Sequence, residues 1–270
     1  MIGIVDIFGG FGNQLFQISF ALHLKQKGIK TYTYISDSLL NNENKEYQEN
    51  RNLIISSSDF GITMLSKKHL YILDKYKKNK ILKNSYQILT ENDFIDYENL
   101  KYINSFNGFW QKIKYVEDNI DDLTRALSVN QKIKMGLSEN KKKNTMLLVR
   151  RGDYEKSGLA LDLNFYEKAM EKLDLTLGYD IFTDDPSWVQ NQKIFENVSY
   201  IYPPSDQRDE VIDLFSEMLS YKNFVVGNST FSFWGALLGS NEKSTVIISK
   251  DFYSKIELET NNKFNNWIKI

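Results

Sequence analysis

The stretch Gly9-Gly10-Phe11-Gly12-Asn13-Gln14-Leu15-Phe16-Gln17 (GGFGNQLFQ) stands between a short apolar run, residues 2–8, and a segment of helical character. Leu15, Ile18 and Leu22, with Phe16, Phe20 and Leu24 beside them, recur at helical spacing, and Gly28 follows where a helix terminus favours glycine. Residues 31–35 are β-branched and aromatic. The opening therefore reads strand, glycine loop, helix, strand: a βαβ unit, which requires a parallel sheet. The loop occupies the turn where dinucleotide-binding proteins carry their glycine fingerprint. Gly10 and Gly12 match its first two positions, and Asp37 stands where an acid would hold a ribose. The third position is Leu15, where close packing of helix on strand calls for Gly or Ala. Three readings compete: a dinucleotide site, a structural turn, or a loop whose glycines let backbone approach a ligand while Asn13 and Gln14 offer amide hydrogen bonds.

Composition narrows the class. Of 270 residues, 41% are hydrophobic and 26% charged, the balance of a folded protein, and the length suits two domains. With 34 basic and 35 acidic residues the formal net charge is −1, so no global field gathers nucleic acid and no such partner is expected. There is no cysteine, hence no disulfide and no thiolate metal site. The two histidines, His23 and His69, have no identifiable partner and receive no role. The first residues lack the basic region and cleavage site of a signal peptide, and no run approaches about 18 apolar residues. The expectation is a cytoplasmic protein, at most peripheral at the inner face of the cytoplasmic membrane.

Outward from the opening unit, residues 41–104 are polar, rich in lysine and asparagine, and broken by short apolar clusters such as Leu70, Ile72 and Leu73. Helices and variable loops are expected there. Residues 118–137 read as helix, and residues 138–144 are the most polar run before a clear strand at 145–149. This places a domain boundary between residues 1–140 and 141–270. Strands at 180–183, 198–202, 224–227 and 245–248 alternate with helical patterns at 164–175, 209–219 and 229–238. The C-terminal segment is expected to pack back on the first domain. Alternation in both halves predicts the α/β class, with two doubly wound domains facing each other.

Three segments of the second half carry chemistry at strand ends. Residues 147–149 are apolar and lead into Arg150 and Arg151, and side chains at a strand's carboxyl end project into the crevice where α/β proteins bind ligands. Neighbours on an extended chain point oppositely, so one arginine is expected to face a ligand, where a guanidinium can fork two phosphate oxygens. The plainer reading is ion pairing with Asp153. Residues 180–183 run into Asp184-Asp185-Pro186; a carboxylate can accept from guanine's N1–H and amine, or cap a helix that has proline in its first turn. Residues 224–227 run into Asn228-Ser229-Thr230-Phe231, a helix start that offers backbone N–H groups and the positive dipole end to an anion, or simply a capped terminus. No Asp-x-Asp triplet occurs, which argues against a metal-bridged nucleotide-sugar site.

Taken in order, GGFGNQLFQ, GFWQKIKY (residues 108–115), VRRGDY (149–154), FTDD (182–185) and GNSTFSFWGALL (227–238) resemble the bacterial α-1,2-fucosyltransferases of glycosyltransferase family 11. The resemblance implies a GT-B architecture, two facing Rossmann-like domains with a central cleft. The N-terminal domain would hold the acceptor and the C-terminal one GDP-fucose or a related GDP-linked deoxyhexose such as GDP-colitose. It implies inverting transfer to the 2-OH of a galactose-containing glycan or lipid-linked oligosaccharide, in O-antigen synthesis, with no cofactor and no metal. By that likeness Arg150 binds the diphosphate, Arg151 supports it or the loop, and Asn228, Ser229, Thr230 and Phe231 cradle the same phosphates. Asp184 or Asp185 reads the guanine edge. Gly10, Gly12, Asn13 and Gln14 line the facing wall of the cleft, and Gln111 and Tyr115 stand on the acceptor side.

Two residues depart from the family pattern: Leu148 replaces the histidine of His-x-Arg-Arg, and Phe233 stands where a second tryptophan is common. Asp153, three residues beyond Arg150, is the candidate general base and Glu155 the second, unless Asp153 orients an arginine instead. Two other readings compete. A nucleotide-dependent oxidoreductase rests on Gly10, Gly12 and Asp37, and a non-catalytic carbohydrate-binding protein rests on the 14% aromatic content.

Overall fold

The first strand, β1 (Ile2–Ile7), is buried on both faces, as an interior strand of a parallel sheet must be. The structure is a computed structural model that describes residues 1–35, 53–79, 82–138, 143–205 and 207–270; Asp37 and part of the polar run 138–144 lie outside them. The chain divides into two compact units, Met1–Ala126 and Leu127–Ile270.

In the first unit β1 leads through the glycine loop into α1 (Phe11–Gln26) and returns as β2 (Lys30–Ile35), parallel to β1 from Ile2↔Lys30 to Ile7↔Ile35. The predicted βαβ unit is present. Then follow β3 (Thr63–Met64), α2 (Lys67–Lys78), β4 (Tyr86–Thr90), β5 (Ile103–Asn107) and α3 (Ile120–Leu127). The sheet order is β3-β2-β1-β5-β4, and each pairing is parallel. Helix α1 is buried nearly all round, polar residues included. Its glutamines satisfy backbone rather than solvent: Gln17 accepts from Phe8 N at 3.0 Å and donates to Gly108 O at 3.2 Å. Phe20 of α1 stacks on Trp110 at 4.0 Å between centroids, an arrangement worth about 0.5–1.5 kcal/mol beyond area burial.

The second unit begins with α4 (Gln131–Gly136), which Asn130 caps by accepting from Lys132 N at 3.0 Å. The segment expected as one helix is thus two. Helix α4 packs on α8 (Arg208–Met218): Lys132 pairs with Asp213, and Gly136 leaves no room for a Cβ against the Ser216 carbonyl. That contact assigns α4 to the second unit and moves the division ahead of the expected 140/141 boundary. Between them lie β6 (Lys143–Val149), α5 (Gly152–Lys156), α6 (Leu163–Met170), β7 (Tyr179–Thr183), α7 (Pro186–Gln190) and β8 (Tyr200–Tyr202); after α8 come β9 (Tyr221–Gly227), α9 (Thr230–Gly239), β10 (Val246–Ile248), α10 (Lys250–Lys255) and β11 (Ile268–Lys269).

The six strands run β11-β10-β9-β6-β7-β8, all pairings parallel. The chain moves outward from β6 to β8 and then returns to the other side of β6 as β9. The seam between β6 and β9 is therefore a topological switch point, where open α/β sheets place their ligands. One face packs Leu147, Val149, Ile181 and Val225 against Phe165, Tyr166 and Ala169 of α6. The C-terminal segment forms the edge strand of this sheet. Ile268 aligns with Ile247, and Ile270 N donates to Ile248 O at 3.1 Å.

A polar network fastens the opposite, amino edge. Lys143 bonds Glu217 and the Tyr202 hydroxyl and lies 3.7 Å from Asp180, which accepts from the buried Tyr221 hydroxyl. Burial alone would lower the Lys143 ammonium, but its bonds to Glu217 and Tyr202 hold it above the ordinary 10.5. Burial, then the bond to Asp180, pushes Tyr221 above 10.0. Both groups titrate higher when folded, so the stability they contribute is complete below about pH 10 and is lost as the pH rises further. In urea unfolding across that range the wild-type midpoint should fall more steeply than that of Lys143→Met; parallel curves would show that the network contributes nothing.

Candidate functional site

Strand β6 ends at Val149 and delivers two guanidiniums to the switch point. Arg150 is clamped between two carboxylates: Nη1 lies 3.0 Å from Asp184 Oδ2 and Nη2 2.6 Å from Asp153 Oδ1. The two partners differ in exposure. The Asp184 side chain is 11% exposed, that of Arg150 19%, and that of Asp153 46%. The guanidinium also stands over the Tyr154 ring, 5.4 Å from its centroid, a cation–π contact four residues along.

Asp184 does more than pair with Arg150. Its other oxygen accepts from the Arg151 backbone N–H at 2.7 Å, so one carboxylate at the end of β7 fixes the turn that leaves β6. A Cβ on Gly152 would come within 2.8 Å of Asp184 Oδ2, so any larger residue there must displace the carboxylate. Arg151 points elsewhere: it lies over the Trp188 ring at 4.1 Å and reaches Glu155 at 2.5 Å. Its Nε is buried without an acceptor among the described residues. Arg151 is thus held by Trp188 and Glu155, whereas Arg150 is held by Asp184 and Asp153.

The two adjacent carboxylates are also divided. Asp185 caps α7, accepting from Trp188 N at 2.9 Å with Pro186 in the first turn. Asp184 faces Arg150. Both are engaged within the protein, so the structure places neither with its carboxylate turned outward to read a base edge. The two base candidates stand likewise, Asp153 on Arg150 and Glu155 on Arg151.

Across the seam, β9 ends in Gly227, whose φ of +64° turns the chain into Asn228. Asn228 donates to Leu159 O at 2.7 Å, and its own carbonyl accepts from the Tyr154 hydroxyl at 3.4 Å. Tyr154 therefore bridges the arginine to the start of α9. Ser229 occupies the N-cap position but makes no capping hydrogen bond with its side chain, and the first turn carries no acid. The positive dipole end of α9 thus has no carboxylate of its own turn to offset it. Phe231 packs towards Phe215 at 5.7 Å. Leu148 is buried near the Gly227 backbone, and Phe233 is a core residue among Trp234, Phe252 and Trp267.

In the first unit, Gly9 takes φ +76° and Gly10 forms the N-cap of α1. Gln14 is wholly buried, donating to Gly9 O at 2.9 Å and accepting from Ile54 N at 3.0 Å. Its amide pins the loop and is not offered to a ligand, contrary to expectation. Asn13 remains partly exposed and accepts from Gln111 at 2.8 Å, which joins two of the quoted motifs. Tyr115, expected on the acceptor side, is buried with its ring against Phe20 and His23, because the aromatic cluster under α1 claims it. Glu91 escaped the sequence reading. It accepts from Phe109 N at 2.9 Å and Trp110 N at 3.1 Å, and so holds Trp110 at its uncommon φ of +55°.

Comparison with known proteins gives one family. The profile described as Glycosyl transferase family 11 matches residues 4–270. The O-antigen biosynthesis glycosyltransferase WbnK of Escherichia coli is 26% identical, covering 97% of this chain and 98% of its own. An alpha-1,2-colitosyltransferase of the same organism is 24% identical over 100% and 99% of the two chains. Among solved structures, fucosyltransferase NodZ from Bradyrhizobium is 13% identical, with a TM-score of 0.46 over 88% of this chain and 93% of that one.

The Asp184 clamp yields a direct test. Gly152→Ala forces a methyl group against the carboxylate and should cost about 1–3 kcal/mol of stability in urea unfolding; an unchanged midpoint would show that the carboxylate yields freely.

Proposed function

The chain belongs to glycosyltransferase family 11, and on that premise we propose that it moves a deoxyhexose, L-fucose or colitose, from its GDP derivative to the 2-hydroxyl of a galactoside, with inversion and without a metal. The observation that carries this reading is Arg150, clamped at the switch point and bridged through Tyr154 to the start of α9. Departure of GDP builds negative charge on the diphosphate, and fixed donors aimed at developing charge lower a barrier most. A guanidinium and a helix start supply positive charge where other transferases use a cation.

The unequal exposure of the clamp suggests how the phosphate enters. An exposed ion pair contributes about 0–1 kcal/mol, so Nη2 can exchange Asp153 for a phosphate oxygen while the more buried Asp184 keeps the guanidinium in place. Asp153, once released, is the proposed general base that takes the proton of the acceptor hydroxyl. Since both FTDD carboxylates are occupied, the guanine edge is assigned to Asp184 or Asp185 only if one of them leaves its present partner. The acceptor is proposed to be a galactose-containing glycan or lipid-linked oligosaccharide, by the family resemblance, and its place in O-antigen synthesis rests on likeness to the O-antigen biosynthesis glycosyltransferase WbnK. The protein would act in the cytoplasm.

Arg150→Ala should lower kcat about a hundred- to a thousand-fold, the loss typical when one donor to developing charge is removed. Transfer assays with GDP-fucose and GDP-colitose onto galactosides, with the linkage read by NMR, identify the donor. Wild-type turnover in Arg150→Ala, or thermal stabilisation by UDP and not GDP, would overturn the assignment, and EDTA should leave the rate unchanged. For Asp153→Asn, a fall in kcat at saturating donor marks a base, whereas a raised donor KM with kcat kept marks a residue that only positions Arg150.

A further inference from the structure

Helix α2 of the first unit contrasts with α1: none of its residues with a described side chain is buried. Lys68, Tyr71, Ile72 and Lys75 recur at intervals of three and four and share one face. On that face Tyr71 is 60% and Ile72 54% exposed, and Lys75 Nζ lies 4.5 Å from the Tyr71 ring centroid. Tyr76, one turn on from Ile72, fastens the flank of this face, its hydroxyl 3.0 Å from Ser85 Oγ in the turn at Leu82–Ser85. Residues 67–83 hold seven lysines against one acid, Asp74, in a chain whose net charge is −1. The acid is itself paired, 2.6 Å from Lys78.

An exposed tyrosine and isoleucine flanked by ammonium groups match one kind of surface. Tyrosine favours the headgroup level of a bilayer, an aliphatic side chain reaches the acyl boundary, and lysines meet lipid phosphates. A polynucleotide would use the charge but leave Ile72 in water. We propose that α2 docks the first unit on an anionic phospholipid surface through Tyr71 and Ile72, with Lys68 and Lys75 on the headgroups. The inference goes beyond the transfer reaction and stands whichever sugar is moved.

The test is sedimentation of the full chain with sucrose-loaded vesicles, a readout independent of transfer activity. The wild type should pellet with phosphatidylcholine–phosphatidylglycerol vesicles, stay in solution with phosphatidylcholine alone, and be released by high salt. Lys68→Glu with Lys75→Glu should raise the lipid needed for half-binding about 30-fold or more. Ile72→Ser, with the charge intact, should raise it about tenfold. Because these side chains are exposed, circular dichroism and Tm should match the wild type in each variant. Equal pelleting with both vesicle types, no pelleting with either, wild-type binding by the double lysine variant, or tighter binding to duplex DNA than to anionic vesicles overturns the proposal.

Discussion

One carboxylate organises the second unit. Asp184 stands at the end of β7 and reaches across to the end of β6, taking the Arg150 guanidinium on one oxygen and the Arg151 N–H on the other. From that contact the rest of the edge follows: the turn after Val149 tightens, Gly152 sits where a side chain would press on the carboxylate, and α5 starts where it brings Tyr154 to the Asn228 carbonyl. A free arginine side chain has roughly 2 kcal/mol of rotamer entropy to lose when it binds. Arg150 has already been ordered by its own fold, so a ligand meeting it does not bear that cost.

Much of this was legible because it is local. The strand at 145–149 and that at 224–227 read as short apolar runs since both their faces are covered, and the two arginines stand out because charge follows such a run without transition. The division of Asp184 from Asp185 is open in the sequence, since both stand beyond the end of β7 and only the folded chain shows which of them caps the helix. What could not be read is tertiary. Strand β5 is interior yet carries Asn104 and Ser105; Asn104 is acceptable there because it donates to Ile2 O at 3.1 Å and Lys101 O at 2.8 Å, groups that meet only after folding. Gln14 looked like a ligand donor for the same reason. A polar residue in a glycine loop advertises binding until its backbone partners are known.

The two departures from the family pattern sit in different surroundings. Phe233 lies in a packed aromatic cluster, so the change from tryptophan is absorbed by the core. Leu148 is a buried residue of β6 with a hydrocarbon side chain in place of an imidazole, and it is its carbonyl oxygen that lies towards the Gly227 turn. In the first unit Glu91 plays a part like that of Asp184, one carboxylate receiving two successive N–H groups and holding a loop in a conformation it would not take alone.

The seam between β6 and β9 has a consequence in time. Its two strands are neighbours in space but are separated in the chain by α5, α6, β7, α7, β8 and α8, and such distant parallel pairings form late. A nascent chain that has passed Arg150 but not yet reached Tyr221 carries both arginines, without Asn228 or the α9 terminus that complete their surroundings. The surroundings of Arg150 are therefore complete only once β9 has docked beside β6 and α9 has started, with β10 and β11 still to extend the sheet beyond them.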